Sequence, residues 1–349
     1  MPDTLVIISP AFPAHEGDGF IPQQQVFVRT LKQTYPELHL IVLALQYPAE
    51  AKSYTWHGVE IIAFGGKGRG RLHRVMTWLK AWRVLQKLYK QHQLIGILSF
   101  WLGEASFVGS MFAKWKGLKH YAWLLGQDAK AGNKYARWIK PKSDELIAIS
   151  DFVMGRYFDN YGIRPAHVIP VGVEPAALSV DQLRDIDILG AGSLIPLKRY
   201  HLFVKLIFEL TKSKPGIKAT LCGGGPELKA LQEMIANLGL EDNLTLVGEI
   251  PHWQVLALMQ RTKVFVHPSE YEGFSTVCLE AIYAGCCVVS YIRPMNHDIA
   301  NWHIINSEVE LERTVQGLSE QSPAQGPNML PYPVADNVKA MMVLFGYNE

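Results

Sequence analysis

The chain has 349 residues, of which 48% are hydrophobic and 19% are charged, and its formal net charge is +2. This composition excludes an intrinsically disordered chain, and the length favours two domains over one. No apolar run approaches the roughly 20 residues of a membrane-spanning helix, and because residues 1–10 lead directly into a predicted strand, we expect no signal peptide.

The small net charge hides an asymmetry between the two halves of the chain. Residues 1–175 contain 21 Lys and Arg against 13 Asp and Glu, whereas residues 176–349 contain 13 against 19. The four cysteines all lie in the second half, at Cys222, Cys278, Cys286 and Cys287. Since no C-x-x-C pair is present, we expect reduced, buried thiols in a cytoplasmic protein and no metal site.

The first half alternates short apolar strands with helices. The predicted strands are 5–9, 38–45, 59–64, 95–100, 145–150 and 166–170. The predicted helices are 24–34, 71–91 and 151–161. This alternation indicates a parallel, doubly wound sheet in an α/β domain.

The helix predicted over Arg71–Gln91 is basic and amphipathic. One face carries the cations Lys80, Arg83, Lys87 and Lys90. The opposite side carries Trp78, Trp82, Leu85 and Tyr89. Such a helix either packs its aromatic face on its own sheet or lies on an anionic membrane, and the preceding basic run 67–71 favours a peripheral position on the inner face of the cytoplasmic membrane. Because the aromatics do not interleave with the cations, we expect no binding of nucleic acid.

The second half repeats the α/β pattern. The predicted strands are 187–190, 217–222, 244–247, 264–267 and 288–289. The predicted helices are 200–212, 226–238, 253–260 and 276–284. We therefore predict two Rossmann-like domains, 1–174 and 175–334, joined by a linker at 171–185 and followed, after a loop at 321–335, by a last helix at 337–345. Open α/β sheets bind ligands at the carboxyl ends of their strands, so the cleft between the domains is the expected site.

The most informative motif lies between Pro268 and Ser290, where Glu272 and Glu280 are separated by seven residues. The stretch reads as a loop with a Gly-Phe, a helix and an apolar strand, which places Glu272 before a helix N-terminus and Glu280 two turns into the helix. Such an N-terminus attracts anions, because its unpaired N–H groups and the helix dipole both favour negative charge. Carboxylates beside it would suit the hydroxyls of a sugar nucleotide.

This segment closely resembles the E-x7-E motif of the retaining glycosyltransferases of GT-B architecture, particularly family 4 (glycosyl transferases group 1). In that family the first Glu lies by the donor sugar and the second hydrogen-bonds the ribose. The resemblance implies two Rossmann-like domains facing across a cleft, with an N-terminal acceptor domain, a C-terminal donor-nucleotide domain and a final helix that returns to the N-terminal domain. The neighbouring residues of the helix mouth would also contact the donor: Gly273, Phe274, Ser275 and Thr276.

Other segments extend the resemblance on the donor side. The stretch 190–198 looks like the family's G-x-L-x-x-x-K-G, with Lys198 at the Lys that holds the diphosphate, Ser193 at the usual Arg, and Arg199 at the usual Gly. The loss of the Arg leaves one fewer fixed cation, so Arg199 substitutes for it or Ser193 donates a neutral bond. The turn 222–227, with Gly224, matches the family's G-x-G-P-x, and 247–249 would place Glu249 beside the nucleotide base.

In the first half, the loop 13–19 would bring Gly17 and Gly19 near the donor phosphate, while Asp18 and Glu16 could orient an acceptor hydroxyl. Leu124–Asp128 looks like the family's H-G-x-D with Leu125 where the His would be. Asp128 matches the motif. In the family the His contacts the donor sugar, and here Glu104 and His120 are the candidates to supply that contact.

The resemblance implies transfer of a hexose from a UDP- or GDP-sugar to a glycan or lipid-linked acceptor hydroxyl, with retention of configuration (EC 2.4), as in cell-envelope polysaccharide biosynthesis. Glu272 and Lys198 are the expected catalytic residues, with Lys198 and the helix N-terminus stabilising the departing diphosphate. We expect no cofactor and no metal, since cations face the diphosphate and no Asp-x-Asp motif is present. The alternatives are a catalytically silent sugar-nucleotide-binding subunit, which Ser193 and Leu125 favour, and a GT-B sugar-nucleotide epimerase; a phosphorylase would need a longer chain.

Overall fold

The computed structural model describes residues 2–66, 68, 70–174, 183–320 and 330–347. The chain divides into two compact units, one formed by Met1–Glu174 with Tyr332–Glu349 and the other by Pro175–Pro331. Parts of three predicted segments lie outside the described residues: Lys67 and Arg69 of the basic run, 175–182 of the linker, and 321–329 of the loop.

Strands and helices alternate along most of the chain. The strands are β1 (Asp3–Ala11), β2 (His39–Tyr47), β3 (Ala51–Trp56), β4 (Val59–Phe64), β5 (Gln93–Phe100), β6 (His120–Leu124), β7 (Leu146–Ala148), β8 (His167–Val168), β9 (Ile186–Ala191), β10 (Ala219–Cys222), β11 (Leu244–Gly248), β12 (Thr262–His267), β13 (Cys287–Ser290) and β14 (Trp302–Ile304). The helices are α1 (Pro22–Thr34), α2 (Arg71–Gln91), α3 (Glu104–Lys116), α4 (Lys134–Ile139), α5 (Asp151–Tyr161), α6 (Tyr200–Ser213), α7 (Leu228–Asn237), α8 (His252–Gln260), α9 (Thr276–Tyr283), α10 (Glu308–Glu320) and α11 (Val334–Phe345).

The first unit contains an eight-stranded sheet with the order β3-β4-β2-β1-β5-β6-β7-β8. The central strand β1 is buried on both faces, since the consecutive residues Leu5, Val6, Ile7 and Ile8 have no exposed surface, as is typical of parallel sheets covered on both sides. Strand β3 was not predicted. It pairs antiparallel with β4 at the sheet edge, where most of its residues are exposed and polar, so it lacks the apolar run that marks the other strands.

The final helix α11 packs on the first unit and begins three residues earlier than predicted. Phe345 occupies the space beside Gly96 of β5, where a Cβ would lie 2.6 Å from the phenylalanine ring. The Tyr121 hydroxyl and the Lys119 ammonium each donate a hydrogen bond to the Leu344 carbonyl, both over 2.9 Å. These contacts confirm the prediction that the last helix returns to the N-terminal unit.

The second unit contains a six-stranded parallel sheet with the order β11-β10-β9-β12-β13-β14. Leu189 and Ile188 of β9, Phe265 of β12 and Val288 of β13 have no exposed surface, so the centre of this sheet is also buried. The predicted α/β class with two parallel sheets is therefore confirmed, although β14 and α10 were not predicted. None of the helices that the structure describes is long and apolar enough to cross a bilayer.

Candidate functional site

Four loops of the second unit follow strands at the carboxyl edge of its sheet. They are residues 192–199 after β9, 223–227 after β10, 249–251 after β11 and 268–275 after β12. The N–H of Leu194 donates to the Gly224 carbonyl over 2.8 Å, and the N–H of Glu270 donates to the Leu197 carbonyl over 3.0 Å. Parallel strands end at the same edge, so this edge gathers most of the residues that the sequence assigned to the donor.

Glycine is required where two of these loops cross. Gly223 has a φ of 148°, and a Cβ at this position would overlap the Gly192 carbonyl oxygen. Gly225 has a φ of 153°, and a Cβ there would overlap the Leu194 carbonyl oxygen. The middle glycine, Gly224, instead lies against Glu249, with 3.2 Å between its ideal Cβ position and Glu249 Oε2. The three glycines thus let the backbones approach closely and leave a concave surface beside them.

A pocket of about 260 Å³ opens at this crossing. Its walls include three residues that the sequence assigned to donor binding, namely Ser193, Gly224 and Glu249. The apolar side chains of Ile250 and Val255 also line it, as do Ala191, Gly192, Cys222 and Gly223. A pocket with glycine backbone on one side and apolar side chains on another suits a flat heterocyclic ring such as a nucleobase.

Glu272 lies in the loop after β12 and holds two polar partners. Glu272 Oε1 accepts a hydrogen bond from His267 Nε2 over 2.7 Å and forms an ion pair with Lys198 Nζ. The Glu272 and Lys198 side chains are 18% and 19% exposed, and the His267 side chain is 2% exposed. Lys198 comes from the loop after β9, so the ion pair joins two neighbouring loops.

The charges of this cluster follow from its burial. Burial alone would raise the pKa of Glu272, but the hydrogen bond from His267 and the positive charge of Lys198 outweigh it and lower that pKa to about 2. Burial lowers the pKa of His267, although the hydrogen bond to Glu272 acts in the opposite direction. A carboxylate only accepts hydrogen bonds, so Nε2 carries the proton of His267. Glu272 is therefore anionic at any ordinary pH and cannot donate a proton.

Helix α9 begins directly after this cluster, at Thr276, with Ser275 as its N-cap residue. The Ser275 side chain makes no capping hydrogen bond to this helix. Ser275 Oγ instead lies 3.5 Å from His267 Nε2, while Phe274 is buried and its ring centroid lies 6.2 Å from that of Trp302. Gly273, Phe274, Ser275 and Thr276 thus form the mouth of a helix whose positive dipole end faces the Glu272 loop.

Glu280 lies on the same helix but has a different partner. Glu280 Oε1 is 3.1 Å from His252 Nε2 at the start of α8. The hydrogen bond to Glu280 raises the pKa of His252. The Glu280 side chain is 19% exposed, whereas that of His252 is 65% exposed, so a surface histidine covers the carboxylate. The two glutamates of the motif are therefore separated in space as well as in sequence.

Arg199 has partners that the sequence did not suggest. Its Nε donates a hydrogen bond to the Pro268 carbonyl over 2.9 Å, and its guanidinium lies 4.5 Å from the centroid of the Tyr291 ring. Ser193 is exposed and lines the pocket. Lys198 is consequently the cation of this loop that contacts Glu272, while Arg199 ties the loop to the chain after β12.

In the first unit, the loop after β1 is organised by Asp18. Its carboxylate accepts hydrogen bonds from the N–H groups of Ala14 (2.8 Å) and Phe20 (3.0 Å) and from the Tyr47 hydroxyl (2.7 Å). Glu16 accepts a hydrogen bond from the N–H of His57 over 3.1 Å. A Cβ at Gly19 would meet no atom within 4 Å, and one at Gly17 would meet only the His15 ring. The two glycines thus leave the outer side of the loop open.

Glu104, Asp128 and His120 of the first unit also form internal polar contacts. Glu104 forms an ion pair with Arg74 over 3.0 Å and accepts from Trp78 Nε1 and Gln46 Nε2. Asp128 accepts from the N–H groups of Leu102, Leu125 and Gly126, and burial raises its pKa to about 6. His120 is buried, lies 3.0 Å from Ser99 Oγ through Nε2, and has a pKa that burial lowers to about 3. Glu104 and Asp128 order the loops after β5 and β6, and their assignment to the acceptor side stays a prediction. The contact to the donor sugar considered for His120 and Glu104 also stays a prediction.

Part of the second unit also resembles a known protein family. Residues 180–305 match the sequence model of the family described as glycosyl transferases group 1. Residues 180–305, which form most of the second unit, are thus similar to this family. The match includes Lys198, the glycine crossing, the pocket and both glutamates.

Proteins with curated functions resemble part of the chain. Glycogen synthase of Mycobacterium tuberculosis is 26% identical over 205 residues, which cover 57% of this chain and 49% of that protein. The 2-deoxystreptamine N-acetyl-D-glucosaminyltransferase of Niallia circulans is 27% identical over 184 residues, covering 53% of this chain and 44% of that protein. The chain therefore spans about half, or less, of the length of these relatives.

Solved structures extend the likeness to the whole chain. Alr3699/HepE of Anabaena, in complex with UDP and glucose, has a TM-score of 0.70 at 16% identity and covers 98% of this chain and 99% of its own. WaaG, a glycosyltransferase involved in lipopolysaccharide biosynthesis, has a TM-score of 0.62 at 17% identity, with coverages of 96% and 94%. These likenesses show that the protein has the GT-B fold.

Two histidines of the second unit that contact the motif glutamates were not predicted from the sequence. His267 ends an apolar strand and therefore looked like a structural residue, although it lies five positions before Glu272. His252 looked like the first polar residue of a surface helix. The His267–Glu272 contact lies within β12 and the loop that follows it, so the spacing of five residues was the signal that could have suggested it. The His252–Glu280 contact joins the start of α8 to α9, and no local spacing marks it.

Proposed function

We propose that the protein is a retaining glycosyltransferase of family 4, which moves a hexose from a nucleoside diphosphate sugar to an acceptor hydroxyl. The observation that carries this proposal is the cluster of Lys198, Glu272 and His267 at the mouth of α9, inside the segment that is similar to glycosyl transferases group 1. Cation, carboxylate and helix N-terminus are the groups that a sugar diphosphate requires.

The donor is bound in three parts. Its base enters the pocket beside Gly224 and Glu249, and its ribose hydroxyls bond to Glu280, displacing His252 from this carboxylate. The diphosphate binds Lys198 and the N–H groups at the mouth of α9, where the charge and the helix dipole act in the same direction. That Gly17 and Gly19 contact the donor phosphate stays a prediction.

Glu272 acts as a fixed anion during the reaction. Its low pKa excludes it as a proton donor, and its hydrogen bond from His267 holds the carboxylate in one orientation. We assign to it the hydroxyls of the donor sugar and the positive charge that develops on the sugar ring as the bond between the anomeric carbon and the phosphate oxygen breaks. The leaving diphosphate takes the proton of the acceptor hydroxyl, which attacks on the same face and so retains the configuration.

The acceptor belongs to the first unit in this proposal. Asp18, Glu104 and Asp128 follow the neighbouring strands β1, β5 and β6, so they share one edge of that sheet. Their hydrogen bonds order the acceptor loops, and a glycan or lipid-linked hydroxyl is the class of acceptor that we propose. WaaG acts in lipopolysaccharide biosynthesis, which agrees with this class. Neither a metal nor a cofactor takes part.

A catalytically silent sugar-nucleotide-binding subunit is the second candidate. Ser193 stands where the family has an Arg, and the guanidinium of Arg199 is held by Pro268 and Tyr291. Only Lys198 then provides a cation at the Glu272 cluster among the described residues of that loop, which would weaken stabilisation of the leaving group.

Thermal shifts and hydrolysis separate these candidates. We expect one UDP- or GDP-sugar to raise the melting temperature, since a ligand at 100 times its Kd adds about 2.7 kcal/mol of stability. The wild type should then release the free sugar slowly, and Glu272→Gln should abolish the release. Glu270→Gln, an exposed carboxylate of the same loop, is the matched control and should behave as wild type. Binding of a sugar nucleotide without any hydrolysis or transfer would favour the silent subunit. Transfer of the sugar to a glycan or lipid extract would favour the enzyme.

A further inference from the structure

The helices α2, α3 and α4 of the first unit present a strongly basic surface, at whose border Glu145 pairs with Lys114 of α3 over 4.0 Å. Between residues 61 and 143 the sequence contains 16 Lys and Arg but only two acidic residues, Glu104 and Asp128. Both acids are buried, with the Glu104 side chain 9% exposed and Asp128 8% exposed. The exposed cations of α2 include Lys80, Arg83, Lys87 and Lys90. An anionic partner would therefore meet no carboxylate on these helices.

Aromatic contacts join the three helices into one surface. Trp82 of α2 stacks on Trp115 of α3 with 5.5 Å between ring centroids. Phe107 of α3 lies 5.0 Å from Trp78 of α2 and 6.0 Å from Trp138 of α4. The tryptophans of α2 thus pack against the neighbouring helix. The side of α2 that faces the sheet is formed instead by small and aliphatic residues, Thr77, Ala81, Leu85 and Leu88.

Large apolar side chains on this surface are exposed to solvent. We call them the apolar patch: Leu72, Val75, Met76 and Leu79 of α2, Met111 and Trp115 of α3, and Trp138 of α4. Each is between 46% and 84% exposed. The four residues of α2 follow the i, i+3, i+4, i+7 spacing, so they form one stripe along the helix. An exposed apolar stripe of this kind, with further exposed apolar side chains on the neighbouring helices, is typical of an interaction site.

The aromatic members of the patch are paired with cations. Lys116 Nζ lies 3.7 Å from the centroid of the Trp115 ring, and Lys134 Nζ lies 5.2 Å from that of Trp138. Tryptophan and lysine side by side suit the boundary between acyl chains and lipid headgroups, where the ring is partly in hydrocarbon and the ammonium meets phosphate. An acidic protein partner would complement the charge but would not require the apolar stripe between the cations.

We propose that the surface of α2, α3 and α4 binds the face of a lipid bilayer that contains anionic phospholipids. Leu79, Trp115 and Trp138 enter the interface, and Lys80 and Arg83 contact the phosphate groups. Apolar burial and attraction to anionic lipid act together in such peripheral binding. This proposal does not depend on the donor chemistry of the second unit.

Flotation with vesicles tests it. The wild type should float with vesicles of phosphatidylcholine and phosphatidylglycerol but not with phosphatidylcholine alone. Met76→Glu/Leu79→Glu and Lys80→Glu/Arg83→Glu should each lower the partition coefficient by at least about tenfold. Val309→Glu, at an exposed apolar residue of α10, and Lys205→Glu/Lys229→Glu, at exposed cations of the second unit, are matched controls and should float as wild type.

Circular dichroism and melting temperatures verify that every variant is folded. Equal flotation of the wild type and the folded α2 variants would overturn the proposal, as would equal binding to neutral vesicles. Two further outcomes also overturn it. In the first, the wild type does not bind vesicles but binds RNA. In the second, the wild type does not float and sediments as a dimer, whereas the Met76→Glu/Leu79→Glu variant sediments as a monomer.

Discussion

Replacing His267 with leucine should loosen Glu272 while leaving its charge in place. His267 is 2% exposed, and its Nε2–H donates to Glu272 Oε1 over 2.7 Å. A hydrogen bond to a charged group contributes about 1.5–3 kcal/mol, which corresponds to a factor of roughly 10–150 in a rate constant. Leucine has a similar volume, so the cavity term is small and the lost hydrogen bond dominates.

Steady-state hydrolysis of the sugar nucleotide is the assay for this variant. We expect kcat to fall within that range with a smaller change in KM, because the disoriented carboxylate acts on the developing charge. The pKa of Glu272 should also rise from about 2 toward its ordinary 4.5, which adds an acid limb to the pH profile. His267→Gln keeps a donor near Nε2 and should recover most of the activity. Wild-type kcat and pH profile in a folded His267→Leu variant would refute the reasoning.

Three further predictions follow from the same contacts. Gly223→Ala places a Cβ on the Gly192 carbonyl and should lower the free energy of unfolding by at least about 2 kcal/mol, whereas Gly216→Ala, in open space, should not; urea titration measures both. The depressed pKa of Glu272 stabilises the fold by about 3 kcal/mol above pH 4.5, and this contribution is lost as the pH falls toward 2. The difference in the free energy of unfolding between the wild type and Glu272→Gln should therefore decrease over that pH interval. EDTA should leave hydrolysis unchanged, and a loss that Mg²⁺ restores would contradict the proposed charge stabilisation by Lys198.

The sequence was most informative where one physical constraint determines a pattern. Apolar runs marked the central strands because these are buried on both faces, and the segment around E-x7-E was predicted as a loop followed by a helix, which the structure has at 268–275 and Thr276–Tyr283. Strand β3 lacked such a pattern, since an edge strand covers little of the core. Helix periodicity showed which residues of α2 share a side, but it could not show that Trp78 and Trp82 pack on α3 rather than on the sheet.

The side-chain partners of the site were the least predictable part. Asp18 was identified in the loop 13–19, Asp128 by its match to H-G-x-D, and Glu104 as a substitute for the missing His. The sequence did not show that backbone N–H groups and neighbouring side chains bind these carboxylates. Arg199 similarly looked like a spare cation for the diphosphate, whereas the structure holds it on Pro268 and Tyr291. Such pairings depend on loops that are distant in sequence, and no local spacing records them.

Isothermal titration calorimetry with UDP and GDP tests the central claim, which is that the carboxyl edge of the second sheet binds a nucleoside diphosphate through Lys198. The account predicts that the wild type binds one of the two nucleotides and that Lys198→Met weakens this binding by about 10- to 100-fold, since a charge-assisted hydrogen bond is lost. Lys205→Met, at an exposed lysine of α6, should bind as the wild type does. Binding of neither nucleotide, or equal affinities for wild type and Lys198→Met, would contradict the account.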